Sequence, residues 1–345
     1  MTGQQVDLRV GLLGLGYFAR FHADGWRRMD GATLAATADA DPATGADHTT
    51  LDGLLSEGLD LLDIATPPPT HAAAIRAALA AGVPAIVCQK PFCTSIEEAR
   101  AVTAEAAAAG TPLIVHENFR FQPWFRAIKA ALDAGRVGRP LHLTFRLRPG
   151  DGQGPDAYRA RQPYFRTMPR FLIHETGVHY LDCFGYLLGP PDGVYADLRR
   201  LNPAIRGEDA GHVLLDYGTG ARALLDGNRL LDFDTDETRR TFGEALLEGD
   251  AGTVALTGDG AVTLRRHGSR TCETLLEARD WPGFAGDSVH AFQAHVVAAL
   301  SGGPPAETAA ADYLHVLELV ELAYASAGAK ARLSVPRPRG AGGPS

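Results

Sequence analysis

The sequence predicts an α/β protein in two parts: a doubly wound parallel sheet over the first third, then an α+β region whose strands run mostly antiparallel. Three observations predict it. An apolar run at residues 10–13 enters a glycine-rich turn, and a helix-like stretch at 17–28 leaves it. Strand-like and helix-like segments then alternate as far as Val115, the pattern of a parallel sheet with helices on both faces. Beyond Gln122 the helical repeat gives way to short runs of alternating polarity set between Gly/Asp turns.

Each element follows in order. The first strand, 10–13, leads into Gly14, Gly16 and Ala19, the G-x-G-x-x-A form of the dinucleotide fingerprint. Gly14 permits a turn that a Cβ would strain. Gly16 lets backbone approach a pyrophosphate, and Ala19 is small enough for a helix to lie close on the strand. The helix beginning at Tyr17 and Phe18 presents free N–H groups to the phosphates. Residues 33–38 are apolar and β-branched, fit for a second strand. Asp39 stands at its end, near the usual interval of about 20 residues, where a carboxylate accepts the hydroxyls of an adenine ribose. Asp41 follows, and no Arg or Lys occurs between Ala32 and Thr50. A 2′-phosphate would meet carboxylates there, so NAD is favoured over NADP.

Residues 41–59 leave room for a helix of one or two turns. Strands at 61–65, 85–88 and 113–115 alternate with helices at 71–81 and 96–109, which close on Gly82 and Gly110. A linking helix at 124–134 opens the second region. Leu141, Leu143, Phe145 and Leu147 alternate with polar residues and give a strand with one wet face. Strand-like runs recur at 194–198, 212–217, 222–225, 245–248, 253–256 and 261–264, and two helices, at 289–300 and 309–327, follow. The reading is a nucleotide domain over 1–122, an α+β domain over 123–335 and a disordered Pro/Gly-rich tail over 336–345.

The 345-residue chain is 45% apolar and 21% charged, ordinary for a soluble globular protein of about two domains. A net charge of −8 argues against a nucleic-acid surface. Cys88, Cys93, Cys183 and Cys272 are scattered, which indicates neither a zinc site nor a disulfide framework. Neither a signal-peptide pattern nor a membrane-length apolar run is present, so the expected compartment is the cytoplasm, without membrane attachment. Lysine is rare: Lys90, Lys129 and Lys330 stand against thirty arginines.

Ligands of open parallel sheets bind beyond the carboxyl ends of the strands. Three loops therefore converge on the cofactor: Gly14 to Ala19, Thr66 and Pro67 through to His71, and Gln89 with Lys90 and Phe92. Lys90 could hold a substrate hydroxyl, and the Lys90–Pro91 bond is a candidate cis peptide. His71 either caps its helix or touches the nicotinamide ribose. The second constellation is the segment from Phe171 to Asp182. If it is helical, Glu175 and His179 lie one turn apart on one face, and the carboxylate orients the imidazole for general acid–base work. His174 and His179 are five apart rather than four, so no metal site is expected. Arg159, Arg161, Arg166 and Arg170 lie just upstream. If that loop lines the pocket, Arg166 and Arg170 could grip an acidic sugar.

Together these residues resemble the glucose–fructose oxidoreductase / inositol dehydrogenase / rhizopine-catabolism (Gfo/Idh/MocA) family over nearly the whole chain. The marks are G-L-G-Y-F-A at Gly14 to Ala19, A-T-P-P at Ala65 to Pro68, Q-K-P at Gln89 to Pro91, N-F-R at Asn118 to Arg120 and E-T-G-V-H at Glu175 to His179. The resemblance implies a Rossmann domain and a C-terminal domain with an open, mostly antiparallel sheet that often makes the interface of a homodimer or homotetramer. It also implies NAD(P)-linked hydride transfer between nicotinamide and a secondary alcohol or ketone of a sugar, sugar acid or cyclitol. By the same resemblance Lys90 lies at the substrate, His179 is the acid–base residue and Glu175 stands where an Asp is usual. Asn118 falls to the cofactor and Arg120 to the substrate.

Two departures stand out. The usual E-K-P is Q-K-P here, and the Asp of D-x-x-x-H is Glu175. Either could mark a subgroup with its own substrate, or a dinucleotide-binding sensor without turnover. An NAD-retaining, glycoside-cleaving enzyme is a third reading within the family.

Overall fold

The computed structural model describes residues 7–336. The chain divides into two units, one of Met1–Phe121 with Pro282–Leu314, the other of Gln122–Trp281 with His315–Ser345. The chain first crosses between units at Phe121–Gln122. Residues 282–314, however, return to the nucleotide unit rather than completing the second domain. The tail expected at 336–345 lies, from residue 337 on, outside the described residues.

In the first unit β1 (Leu8–Leu13), β2 (Ala32–Ala38), β3 (Leu61–Ile64), β4 (Ala85–Gln89) and β5 (Leu113–His116) form a sheet of order β2-β1-β3-β4-β5. Every pair in it is parallel. Helices α1 (Ala19–Arg27), α2 (Leu51–Leu55), α3 (His71–Ala80) and α4 (Ile96–Ala109) make the connections. Helix α1 begins at Ala19, so Tyr17 and Phe18 belong to the turn before it. Ser95 caps α4 by accepting from Glu98 N–H, while Gly110 closes that helix at φ 70°. Strands β3, β4 and β5 are buried along their whole length, as central parallel strands must be. β3 includes one carboxylate, Asp63, fully buried.

The second unit begins with α5 (Pro123–Asp133) and the long strand β6 (Pro140–Leu147). A π-helical turn, Leu172–Gly177, runs directly into α6 (Val178–Leu188). There follow β7 (Gly193–Arg199), β8 (Ala210–Asp216), β9 (Arg222–Asn228), the single turn α7 (Thr238–Thr241), β10 (Gly243–Gly249), β11 (Gly252–Leu256), β12 (Val262–Arg266), β13 (Glu273–Leu276) and β14 (Leu333–Ser334). The sheet order is β13-β12-β11-β10-β6-β9-β8-β7-β14. All neighbours are antiparallel except β6 and β9. β13 and β14 are short and at the edges, and no run of alternating polarity marks either. One face of β6 is buried through Leu143, Phe145 and Leu147, with Phe145 stacked on Tyr180 of α6 at 4.1 Å between centroids.

The returning segment supplies α8 (Ser288–Leu300), and α9 (Ala310–Ala329) begins in the first unit and ends in the second. Phe292 of α8 is fully buried in the same core as Val10, Trp26 and Val87. Its ring lies 4.3 Å from that of His116 and 5.4 Å from that of Phe121. Thr308 extends the nucleotide sheet: its carbonyl accepts from Val115 N–H at 2.9 Å and its hydroxyl donates to Val115 O at 2.7 Å. Helical periodicity at 289–300 is legible in sequence, but which sheet it covers is not. Phe292→Ala should therefore cost about 3–5 kcal/mol, measured by urea denaturation. A cost below about 1 kcal/mol would detach α8 from that core.

Candidate active site

The nucleotide half is built by the turn after β1. Gly14 has φ 93°, and a Cβ there would lie 2.9 Å from Thr66 Cγ2 and 3.0 Å from Thr66 N. Both backbone conformation and close packing therefore demand glycine. A Cβ on Gly16 would meet nothing within 4 Å. The fold itself does not require glycine there, which leaves the space a diphosphate needs. Ala19 is fully buried at the first turn of α1. Asp39 Oδ2 accepts from Leu15 N–H at 2.6 Å and Oδ1 from Asp41 N–H at 2.9 Å. The carboxylate at the end of β2 thus holds the glycine turn and still has lone pairs for ribose hydroxyls.

The neighbouring loops are tied together by His71. Its Nε2 lies 2.7 Å from Thr66 O and its Nδ1 3.1 Å from Phe92 O. Burial lowers its affinity for a proton, against the pull of those carbonyls. His71 is therefore a staple between two site loops, at the first position of α3. Thr66 Oγ1 accepts from Thr70 Oγ1 at 2.7 Å, and Pro67 O accepts from the same hydroxyl at 2.8 Å. The Lys90–Pro91 peptide is cis.

Several residues expected at the cofactor or substrate have other partners. Gln89 is 7% exposed and turned inward: its amide nitrogen donates to His22 Nε2 at 3.1 Å and its oxygen accepts from Lys90 N–H at 2.6 Å. Asn118 is buried and donates to Ser288 Oγ at 2.7 Å, which ties the end of β5 to α8. Tyr17 OH accepts from Arg20, whose guanidinium lies over its ring, and Phe18 packs on Phe21 and Phe284. Arg120 donates to Glu307 O at 3.1 Å. Cys88 is a buried core thiol, pushed well up by burial, and the Cys93 thiol is raised the same way, to about 12.

In the second unit, the π turn runs into α6 at the E-T-G-V-H segment. His179 is 4% exposed. The segment is helical as expected, but its first turn is π rather than α, so Glu175 and His179 are not one regular α turn apart. Glu175 Oε2 accepts from Thr176 Oγ1 at 2.5 Å and lies 3.6 Å from Arg229 Nη1. Arg229 Nη1 in turn donates to Thr176 Oγ1 at 2.6 Å. Its Nε and Nη2 bind Asp151 at 3.1 and 2.7 Å, with the guanidinium over the Phe171 ring at 4.5 Å. Burial opposes charge on Arg229, but Asp151, Tyr158 and Glu175 more than offset it and raise its affinity for the proton. Glu175 is thus an acceptor set beside a buried cation.

Arg229 and Asp151 were invisible in the sequence, since nothing local marks a lone arginine after a strand. Arg166 donates to Pro155 O and Ala157 O, both at 2.9 Å, and so holds its own loop. Arg170 pairs with Glu321 at 2.6 Å and lies over the Tyr324 ring. Each guanidinium thus has a local acceptor at its Nη1, a carbonyl pair for Arg166 and a carboxylate for Arg170. Among the described residues, no group of three His, Cys, Asp or Glu could hold a metal ion.

The parallel sheet, the glycine turn and the carboxylate after β2 define an NAD-binding oxidoreductase. The profile of the oxidoreductase family with an NAD-binding Rossmann fold matches residues 8–117, and that of the GFO/IDH/MocA C-terminal domain matches 125–253. The chain belongs to the Gfo/Idh/MocA oxidoreductase family. It is 35% identical over 336 residues to a D-apiose dehydrogenase of Paraburkholderia graminis, covering 92% of this chain and 86% of that one. It is 27% identical over 349 residues to an inositol 2-dehydrogenase of Rhizobium meliloti, covering 96% and 100%. A crystal structure of an oxidoreductase from Agrobacterium radiobacter, in complex with NAD+, L-tartaric acid and magnesium, superposes with a TM-score of 0.86 at 32% identity over 96% of this chain and 99% of that one.

The two glycines separate fold from ligand. Gly14→Ala should cost about 1–3 kcal/mol of stability. Gly16→Val should leave the melting temperature unchanged yet weaken NADH binding at least about tenfold, read by nucleotide fluorescence. Equal effects of both substitutions on melting would refute the distinction.

Proposed function

We propose that this protein is an NAD-dependent dehydrogenase acting on a hydroxyl-bearing carbon of a sugar, sugar acid or cyclitol, with D-apiose the first substrate to test. The observation that carries the reading is the retention of Lys90 and His179, each in its family motif, in a chain 35% identical to D-apiose dehydrogenases from two organisms. NAD, when bound, supplies the hydride acceptor. Gly14, Gly16 and Ala19 would hold its diphosphate, and Asp39 its adenine ribose. In this reading His179 takes the hydroxyl proton and Lys90 stabilises the alkoxide that develops. Glu175, which accepts from Thr176 and lies beside Arg229, favours the imidazolium that His179 becomes. Arg166 holds its own loop, and Arg170 pairs with Glu321.

His179→Asn should lower kcat on the true substrate at least about 10²-fold with NADH binding unchanged. Wild-type turnover in that variant would remove His179 from the mechanism. A screen of D-apiose, myo-inositol and aldonates with NAD and NADP, read at the NAD(P)H absorbance band, tests the substrate class.

We further propose that the protein is a homodimer or homotetramer formed through the second unit's sheet, in the cytoplasm, where its free thiols fit a reducing compartment. The outer face of that sheet carries a cross-strand row Tyr195–Leu214–Leu224–Thr144–Leu246–Ala255. Tyr195, Leu214 and Leu246 are 40%, 37% and 39% exposed in the single chain. Beside it runs Asp197–His212–Asp226–Arg146–Glu244, a row of both signs. An apolar stripe rimmed by mixed charge suits a second copy of itself. Leu246→Asp should reduce the mass measured by light scattering while the melting transition persists; an unchanged mass would exclude this face.

A further inference from the structure

The glutamine that replaces glutamate in the Q-K-P segment has an explanation inside the first unit. Lys90 N–H donates to Gln89 Oε1 at 2.6 Å. A backbone N–H is only ever a donor, so this bond sets the orientation of the amide, and the nitrogen end faces His22 Nε2 at 3.1 Å. An amide nitrogen is likewise only a donor. His22 Nε2 must therefore offer a lone pair, and its proton sits on Nδ1, 2.8 Å from Asp63 Oδ2. Trp26 Nε1 donates to the same oxygen at 2.7 Å. Asp63 and His22 are fully buried, and Gln89 is 7% exposed. Four side chains and one peptide N–H form a single network in which each contact pairs a donor with an acceptor.

We infer that Gln89 is a positioning residue: it transmits the rigidity of the buried Asp63–His22 pair to the backbone of Lys90 and, as an amide, locks His22 into the uncharged Nδ1–H tautomer. The catalytic consequence rests on the role proposed above for Lys90; the tautomer does not. A glutamate at this position keeps the bond to Lys90 N–H but sets a second acceptor against the lone pair of His22. The repulsion ends only when His22 takes a proton and donates from both nitrogens. The titratable groups around this relay are Asp63 on β3, His116 on β5, whose ring stacks on His22 at 4.0 Å, Cys88 on β4, within electrostatic reach of Asp63, and Lys90 itself. A charged His22 would face its stacked neighbour His116 as well as Asp63. Glutamine removes that dependence on pH.

The test is Gln89→Glu, an isosteric change, in the full chain. With 15N-labelled histidine, and His22→Gln to assign the signal, wild-type His22 should show an unprotonated Nε2 from about pH 6 to 8, and the variant a doubly protonated ring at neutral pH. The sign follows from linkage: a histidine with raised proton affinity stabilises the fold at low pH and loses that stabilisation as pH rises through its folded pKa. The variant should therefore melt near wild type at about pH 6 and lower at about pH 8.5. Its kcat should fall about 10–100-fold toward high pH through a new ionisation in the histidine range, with KM for NAD changed less than kcat. The double variant with His22→Gln should lack that ionisation. A protonated Nε2 in wild type, or a Gln89→Glu protein with wild-type tautomer and wild-type pH profile, would overturn the inference. The labelling experiment needs no substrate, so it stands even if no sugar is turned over.

Discussion

A carboxylate stays buried in the middle of a parallel sheet only if donors converge on it, and Asp63 imposes that condition on the nucleotide unit. Leaving such a group unpaired costs several kcal/mol. His22 and Trp26, one turn apart on α1, both meet its Oδ2. Its Oδ1 finds no hydrogen-bond partner among the described residues, so those two donors carry the whole burden. The requirement fixes the rotation of α1 over the sheet. That rotation buries Ala19 at the start of the helix and brings His22 to Gln89 at the end of β4. One electrostatic demand thus aligns the glycine turn and the Lys90 segment.

The second unit has a counterpart in Arg229. Here the buried charge is positive, and the response is a bidentate carboxylate, a hydroxyl and aromatic faces. Asp151 and Arg229 come from different chain segments, and together they hold the π turn that carries Glu175. π turns are uncommon and gather at functional positions, because they aim side chains that an α turn would not. In each unit the residue nearest the proposed chemistry, Lys90 or Glu175, is held by a buried charge the chemistry does not use.

Much of this was legible without coordinates. The fingerprint, the acid after β2, the alternation of strand and helix, and the Q-K-P and E-T-G-V-H segments are local patterns whose physics acts within a few residues. Three strands were foreseen at 61–65, 85–88 and 113–115 because their apolar runs were bounded by turn chemistry. The run 61–65 was read only as an apolar strand, so the acid within it, Asp63, which is the one local hint of the buried relay, passed unremarked. The partners of Asn118, Arg166 and Arg170 within the fold, namely Ser288, two loop carbonyls and Glu321, were not legible, since a polar side chain looks the same in sequence whatever group it meets.

The sequence by itself determined the class of fold, the place of the coenzyme turn, the preference for NAD and the family, because each rests on short-range spacing. The tertiary structure alone decided that residues 282–314 rejoin the nucleotide unit, that Arg229 lies beside Glu175, and that Gln89 joins His22 to the backbone of Lys90. Those pairings join residues far apart in the chain, and only burial, which makes an unmet hydrogen bond costly, selects among the partners each could have had.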